Sequence, residues 1–248
     1  MKRAVWITLL AILAFAIILV ARMPVSWVAG FIPKNITCAE LAGTVWTGTC
    51  NGLVAQGVQV GNVSWDLKAS ALLKRKIAGY FELNRGTNFV RGDIESTTSG
   101  NDITAHDFQA DMPLDPALIP KLPPSLRGLV RANLKSIHIE KGTILSVEGL
   151  VEAHDLVQGG GNQRYALGDY SLTFPAADPK TEPVGELRSL GGPLVVEGTL
   201  KLTREPGYDI QGTVATTPET SPQLAKDLAY LGTPDAQGRR PFGLSGTF

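Results

Sequence analysis

Cysteine and histidine are scarce in this 248-residue chain, with two of the first and three of the second. That leaves little material for a metal centre, which needs several such ligands converging. Neither charge is in excess: Lys and Arg total 23, and so do Asp and Glu. A duplex-binding protein carries a basic surplus, so no nucleic-acid partner is expected. Charged residues are only 19% against 44% hydrophobic, which excludes a disordered, self-repelling chain. A G-x-S-x-G nucleophile elbow and a Walker loop are both missing. Gly159-Gly160-Gly161-Asn162 is glycine-rich, but no helix pattern follows to receive a phosphate. It reads as a hairpin tip. His106-Asp107 and His154-Asp155 are adjacent pairs, and neighbours on a strand face opposite ways unless a bulge intervenes. His138 and Glu140, two apart, read as a surface pair. The expectation is a protein with no catalytic residue, no metal and no cofactor, acting by binding and not by turnover.

Long apolar runs are also rare, and there is one. Lys2 and Arg3 precede Ala4 to Ala21, 18 residues without a charge. At a helical rise of about 1.5 Å per residue this spans roughly 27 Å, close to the hydrocarbon thickness of a bilayer. A cleavable signal peptide would need small residues before a cut. Ile18 to Arg22 lacks them, and Ala14-Phe15-Ala16 lies inside the run. The expectation is therefore an uncleaved anchor with Lys2 and Arg3 in the cytoplasm and the body in the periplasm. Trp27 and Phe31 suit the far interface, although Trp27 suits a core equally well. The first 23 residues hold three basic residues (Lys2, Arg3, Arg22) and no acidic one, so the remainder keeps 20 basic against 23 acidic, a net of −3.

From about residue 40 the apolar period is two, the signature of half-buried strands. It is clear over residues 58–67 (with a break at Gly61-Asn62), 77–83, 89–94, 103–112, 134–139, 144–151, 165–174, 194–203 and 208–216. Arg204-Glu205-Pro206-Gly207 joins two of these as a hairpin turn, since Pro fixes φ and Gly accepts a positive one. Glycine recurs inside many strands, where it marks bulges and bends. An all-β fold follows: a long, strongly twisted, curled antiparallel sheet. One short C-terminal helix is expected from Ser221-Pro222, a cap and first position, to Gly232, with Leu224, Leu228 and Leu231 on one stripe. The organisation reads as a tip and anchor over 1–22, a juxtamembrane segment over 23–36 and a β-rich body over 37–248. The proline-rich stretch 113–124 divides the body into two halves.

Cys38 and Cys50 are the only cysteines. In an oxidising compartment they are expected to form a structural disulfide, and a redox pair would usually be spaced C-x-x-C. Between them lies Gly43-Thr44-Val45-Trp46-Thr47-Gly48, and Trp65 follows on the next strand pattern. Trp46 and Trp65 are expected in one core cluster, with a binding platform as the other reading.

Taken together, these features resemble the N component of bacterial type II (general) secretion systems. The likeness rests on the short anchor with its apolar, proline-containing sequel (Met23 to Pro33), the Cys38–Cys50 block with Gly43 to Gly48, and the Leu-Pro-rich run Leu114 to Leu122. It rests also on the C-terminal pattern of Leu224 to Leu231, Gly238-Arg239 and the last strand from Gly243. The strand after Gly149 lacks a tryptophan expected there. The resemblance implies a single-pass inner-membrane protein with a periplasmic β domain, an accessory of the machine that exports folded proteins across the outer membrane. Its partners would be inner- and outer-membrane components of that machine. The alternative is an anchored periplasmic protein of envelope biogenesis that holds a lipid on the apolar face of its sheet.

Overall fold

The computed structural model describes residues 2–27, 30, 33, 35–114, 125–160, 163–176, 178, 181–205 and 207–247. Phe31, Gly161, Asn162, Pro206, Phe248 and residues 115–124 of the proline-rich stretch lie outside them. A helix, α1 (Lys2–Ala21), comes first. Thirteen strands follow: β1 (Ile36–Gly43), β2 (Thr47–Ala55), β3 (Val58–Leu67), β4 (Lys76–Arg85), β5 (Asn88–Thr97), β6 (Asp102–Pro113), β7 (Leu126–Glu140), β8 (Thr143–Gly160), β9 (Gln163–Phe174), β10 (Val184–Gly191), β11 (Leu194–Thr203), β12 (Gly207–Thr216) and β13 (Arg240–Thr247). A short helix, α2 (Pro222–Leu228), lies between β12 and β13.

The strands form one antiparallel sheet in sequence order, each paired with its chain neighbours. β6 pairs with β7 from Asp102–Glu140 to Pro113–Leu129, so the proline-rich stretch interrupts the chain and not the sheet. Thirteen strands cannot stay flat, because adjacent strands rotate by about 20–25° and open sheets beyond roughly ten strands curl. The curl is visible in one approach. β8 comes within 8 Å of β11 although β9 and β10 stand between them, where flat spacing would give about 14 Å. At the same place the Thr143 hydroxyl donates to the Arg204 carbonyl at 3.1 Å.

Register shows what lines the inside. Paired residues of an antiparallel sheet share a face. Trp65 pairs with Phe81, Phe108 with Leu134, and Leu200 with Ile210 and Ile210 with Leu244. Phe174 sits between these groups, opposite Gly149. The gaps in this row are glycines: Gly48 opposite Trp65, Gly92 opposite Phe81, and Gly185, where a Cβ would lie 2.8 Å from the Phe174 ring. Large side chains thus lie over glycines of the next strand, and the inner face can close without a clash. Outward positions are mostly polar. They carry cross-strand ion pairs such as Arg131–Asp111 at 3.1 Å and Lys135–Glu148 at 2.9 Å.

The inner face is filled unevenly. Leu134, Val147, Phe174 and Leu202 form a buried cluster joined by Phe108, Leu172 and Tyr208, so β6 to β12 share one core. A second cluster of Leu194, Val196 and Val214 is covered by Leu224 and Leu228 of α2 and by Phe242. Ser221 caps α2, its hydroxyl accepting from Leu224 N–H at 3.3 Å. A 3-10 turn (Ala229–Leu231) then carries the chain to Gly232, whose φ is 108°. Among the described residues no side chain is less than 2% exposed, as expected of a single curled layer.

Candidate functional site

The open part of the inner face lies at β1 to β4. There Val25, Ile36, Leu41, Leu53, Val63, Trp65 and Phe81 line an apolar groove of about 360 Å³, with the Cys38–Cys50 disulfide in its wall. Every lining residue is apolar. The volume lies at the small end of the range of ligand sites. The disulfide joins β1 to β2, whose Leu41 and Cys50 are register partners. Trp65 crosses over Gly48, and its indole N–H donates to the Val45 carbonyl at 3.1 Å.

Trp46 takes a different place. Its indole N–H donates to the Val20 carbonyl of α1 at 2.8 Å, a helix-end acceptor that also takes the Met23 N–H at 3.3 Å. With Ala69 it lines an open pocket shared with Ala16, Ile17, Val20 and Ala21. Trp65 lines the groove and Trp46 the joint with α1, and both tryptophans are half-buried. The joint continues through Val45 N–H donating to Met23 O at 3.0 Å, a bridge between Pro24 and Thr44, and buried Val25. Trp27 is 59% exposed. The described side chains of α1 run from Trp6 to Ala21, and among the described residues no helix is long and apolar enough to cross a membrane.

The two outer edges of the sheet differ. β1 is met by the Val25–Trp27 turn, ends beside the Pro24–Thr44 bridge and carries Glu40, although most of its residues are exposed. β13 has Pro241 near its start and no charge from there to Thr247, and Leu244 on its inward side is 56% exposed. Edges are normally blunted by charge, bulges or cover, and most of β13 has none of these.

The histidines stand on the polar face. Asp107 and Asp155 adopt positive φ at 48° and 51°, so both adjacent His-Asp pairs do sit at bulges. Neither pair forms a dyad. His154 lies 3.6 Å from Glu152 and 3.8 Å from Asp169, while Asp155 N–H donates to Asp169. His138 Nε2 is 3.0 Å from Asp102, a partner that spacing along one strand does not reveal. Among the described residues no three metal-ligating side chains converge. Tyr170 is the one phenol strongly shifted, pushed up to about 12 by burial and then by Asp169. Its hydroxyl donates to Leu167 O at 2.6 Å, an internal bond that ties down a bulged strand.

Comparison with known proteins gives a consistent answer. A family model described as type II secretion system (T2SS), protein N, matches residues 34–243. The type II secretion system protein N of Aeromonas hydrophila is 26% identical over 255 residues, covering 99% of each chain. That of Vibrio cholerae serotype O1 is 25% identical over 222 residues, covering 87% of this chain and 86% of the relative. No solved structure matches.

Proposed function

Since the chain belongs to the type II secretion system protein N family, we propose that it is a non-catalytic component of the secretion machine, tethered to the inner membrane by α1 with its sheet in the periplasm. In this reading residues 1–22 are the tether, 23–36 the juxtamembrane link and 37–248 the periplasmic body. The uncharged run Ala4 to Ala21 behind Lys2 and Arg3 supports the tether and its direction. The body acts by binding, and its docking element is the edge of β13. The observation that carries this is the contrast between the two edges: β1 carries Glu40 and is flanked by the Val25–Trp27 turn, and β13 offers an uncharged stretch from Pro241 with Leu244 exposed. A partner strand added there gains main-chain hydrogen bonds and covers Leu244.

Complementation of a deletion strain tests this. The parent chain restores export of folded proteins, and Leu244→Lys, which points a charge inward at the edge, does not, although the variant folds. Normal export by folded Leu244→Lys would remove β13 from the mechanism. Replacing His106, His138 and His154 together by Gln leaves export nearly intact; complete loss in a folded triple variant would overturn the non-enzymatic reading.

A second reading has its own observation. The groove beside the disulfide is open and wholly apolar, which suits an acyl chain or another hydrophobic segment. Mass spectrometry of protein released gently from membranes distinguishes the two. Lipid retained in stoichiometric amount, and lost in Trp65→Glu, favours the carrier; empty protein favours the docking component.

A further inference from the structure

The 3-10 turn Ala69–Lys74 between β3 and β4 buries none of its residues. Leu73 is 89% exposed and Leu72 48%, a pairing that water alone does not favour at a turn. Around the two leucines stand Lys68, Lys74, Arg75 and Lys76. Lys68 and Lys76 pair with Asp93 and Glu95, while Lys74 and Arg75 stand exposed at the tip. The position of the turn gives it meaning. Ala69 shares a pocket with Trp46 and with Ala16, Ile17, Val20 and Ala21 of α1. Ala16 lies five residues before the end of the helix, or roughly 7 Å along its axis.

We propose that this turn is a second membrane contact: Leu72 and Leu73 enter the interface of the bilayer that holds α1, and Lys74 and Arg75 engage anionic lipid headgroups. The inference rests on the tether reading above. An apolar tip ringed by basic residues is the chemistry of interfacial binding, with apolar burial and headgroup attraction acting together. A single helix leaves a body free to swivel. A second contact at β3–β4 fixes its orientation and sets the open groove, lined by Val63, Leu67 and Phe81 of the same two strands, next to the bilayer.

The test uses the full chain with its disulfide intact, so that a single added cysteine can be labelled. Leu73→Cys carrying an environment-sensitive fluorophore is reconstituted into phosphatidylcholine vesicles with and without phosphatidylglycerol, beside a Leu244→Cys control. The expected result is a blue-shifted label at position 73, quenched by nitroxide-bearing lipid, with quenching greater on anionic vesicles and reduced several-fold by high salt. The control stays open to aqueous iodide. The Lys74→Glu, Arg75→Glu double variant loses the quenching, and salt titration of the parent charge set gives the same answer should that variant misfold. Equal iodide access at positions 73 and 244 on anionic vesicles overturns the inference. So does protection seen in native membranes and not in vesicles, which would assign the turn to a protein partner. Carbonate extraction of the same samples separates the premise: a stripped chain ends the tether reading and this one together, whereas a retained chain with an exposed label ends only this one.

Discussion

At Gly48 an added methyl group would overlap Cζ2 of Trp65 and stand 2.8 Å from the Ala42 carbonyl. The missing side chain is therefore what lets the indole lie across the neighbouring strand and reach Val45 O. Gly48→Val should destabilise by about 1–3 kcal/mol, the usual range for overpacking, read as a lower urea midpoint. Trp65→Ala should lose about 3 kcal/mol, at the low end for a large aromatic because one side of the groove is open. Trp46→Ala should act differently: it removes the indole bond to Val20 O and leaves that carbonyl only the Met23 N–H, so the joint with α1 loosens more than the sheet does, and proteolysis between residues 22 and 36 accelerates. The paired charges outside give a second set of expectations. Glu182 is held below its ordinary value of 4.5, first by the Lys201 ammonium and then by the Arg204 N–H, and Lys201 is correspondingly raised above 10.5. Glu95 and Lys76 behave alike. A depressed carboxyl stabilises the fold above its unfolded pKa and loses that contribution as pH falls through the folded value; a raised ammonium stabilises below its unfolded pKa and loses it as pH rises. Stability should be flat near neutrality and fall below about pH 4.5 and above about pH 10.5. Glu182→Gln should flatten part of the acid limb in denaturation curves collected across pH. All four groups are solvent-facing, so the effect is small.

Among the elements, β1 depends most on a covalent link. It is an edge strand paired on one side with β2, and the Cys38–Cys50 bond closes a loop of 12 positions. Loop-closure entropy gives about 3 kcal/mol for such a bond. Non-reducing peptide mapping should find the two cysteines joined, and reduction should release β1 first, seen as selective loss of amide protection over residues 36–43. How far the elements were legible follows from which faces they show. Residues 194–203 and 208–216 alternate cleanly because every inward position is apolar or glycine, and they are strands. β10 gave no such signal. Its inward Gly185 makes room for Phe174, its Leu190 is 52% exposed, and its register shifts between Ser189 and Gly191, so packing from β9 hides the period. Residues 126–133 and 152–160, with charges at Arg127, Arg131, Glu152 and Asp155, were missed for the same reason: bulges near Gly128 and Asp155 reset the phase within β7 and β8. The short helix was readable because Ser221, Pro222 and Gly232 are local signals. The groove was not, since alternation alone serves a filled interior and an open one equally.

Across the whole molecule, the densest packing lies at β7 to β11 and thins toward both ends. A sheet built this way opens from its margins. Native-state hydrogen exchange should show protection greatest in β8 and β9, lower in β13, and restored in β13 when the proposed partner strand is bound; equal protection across all strands would argue for a single closed unit. The glycine rows make the curl possible everywhere, and Gly149 is among those that tolerate no side chain. Its φ is 138°, and an added methyl would lie 2.6 Å from Leu134 Cα, so Gly149→Ala should weaken the junction of β7, β8 and β9 together. The strict neighbour order of the sheet bears on how such a chain is made. Every strand after β1 finds a partner in the strand synthesised just before it, so only β1 waits for one that is still to come. A chain threaded through a membrane pore amino end first could therefore add one rung at a time as it emerges. At each stage the growing edge is the newest strand, which leaves β13 as the bare margin, the strand furthest along the chain from α1.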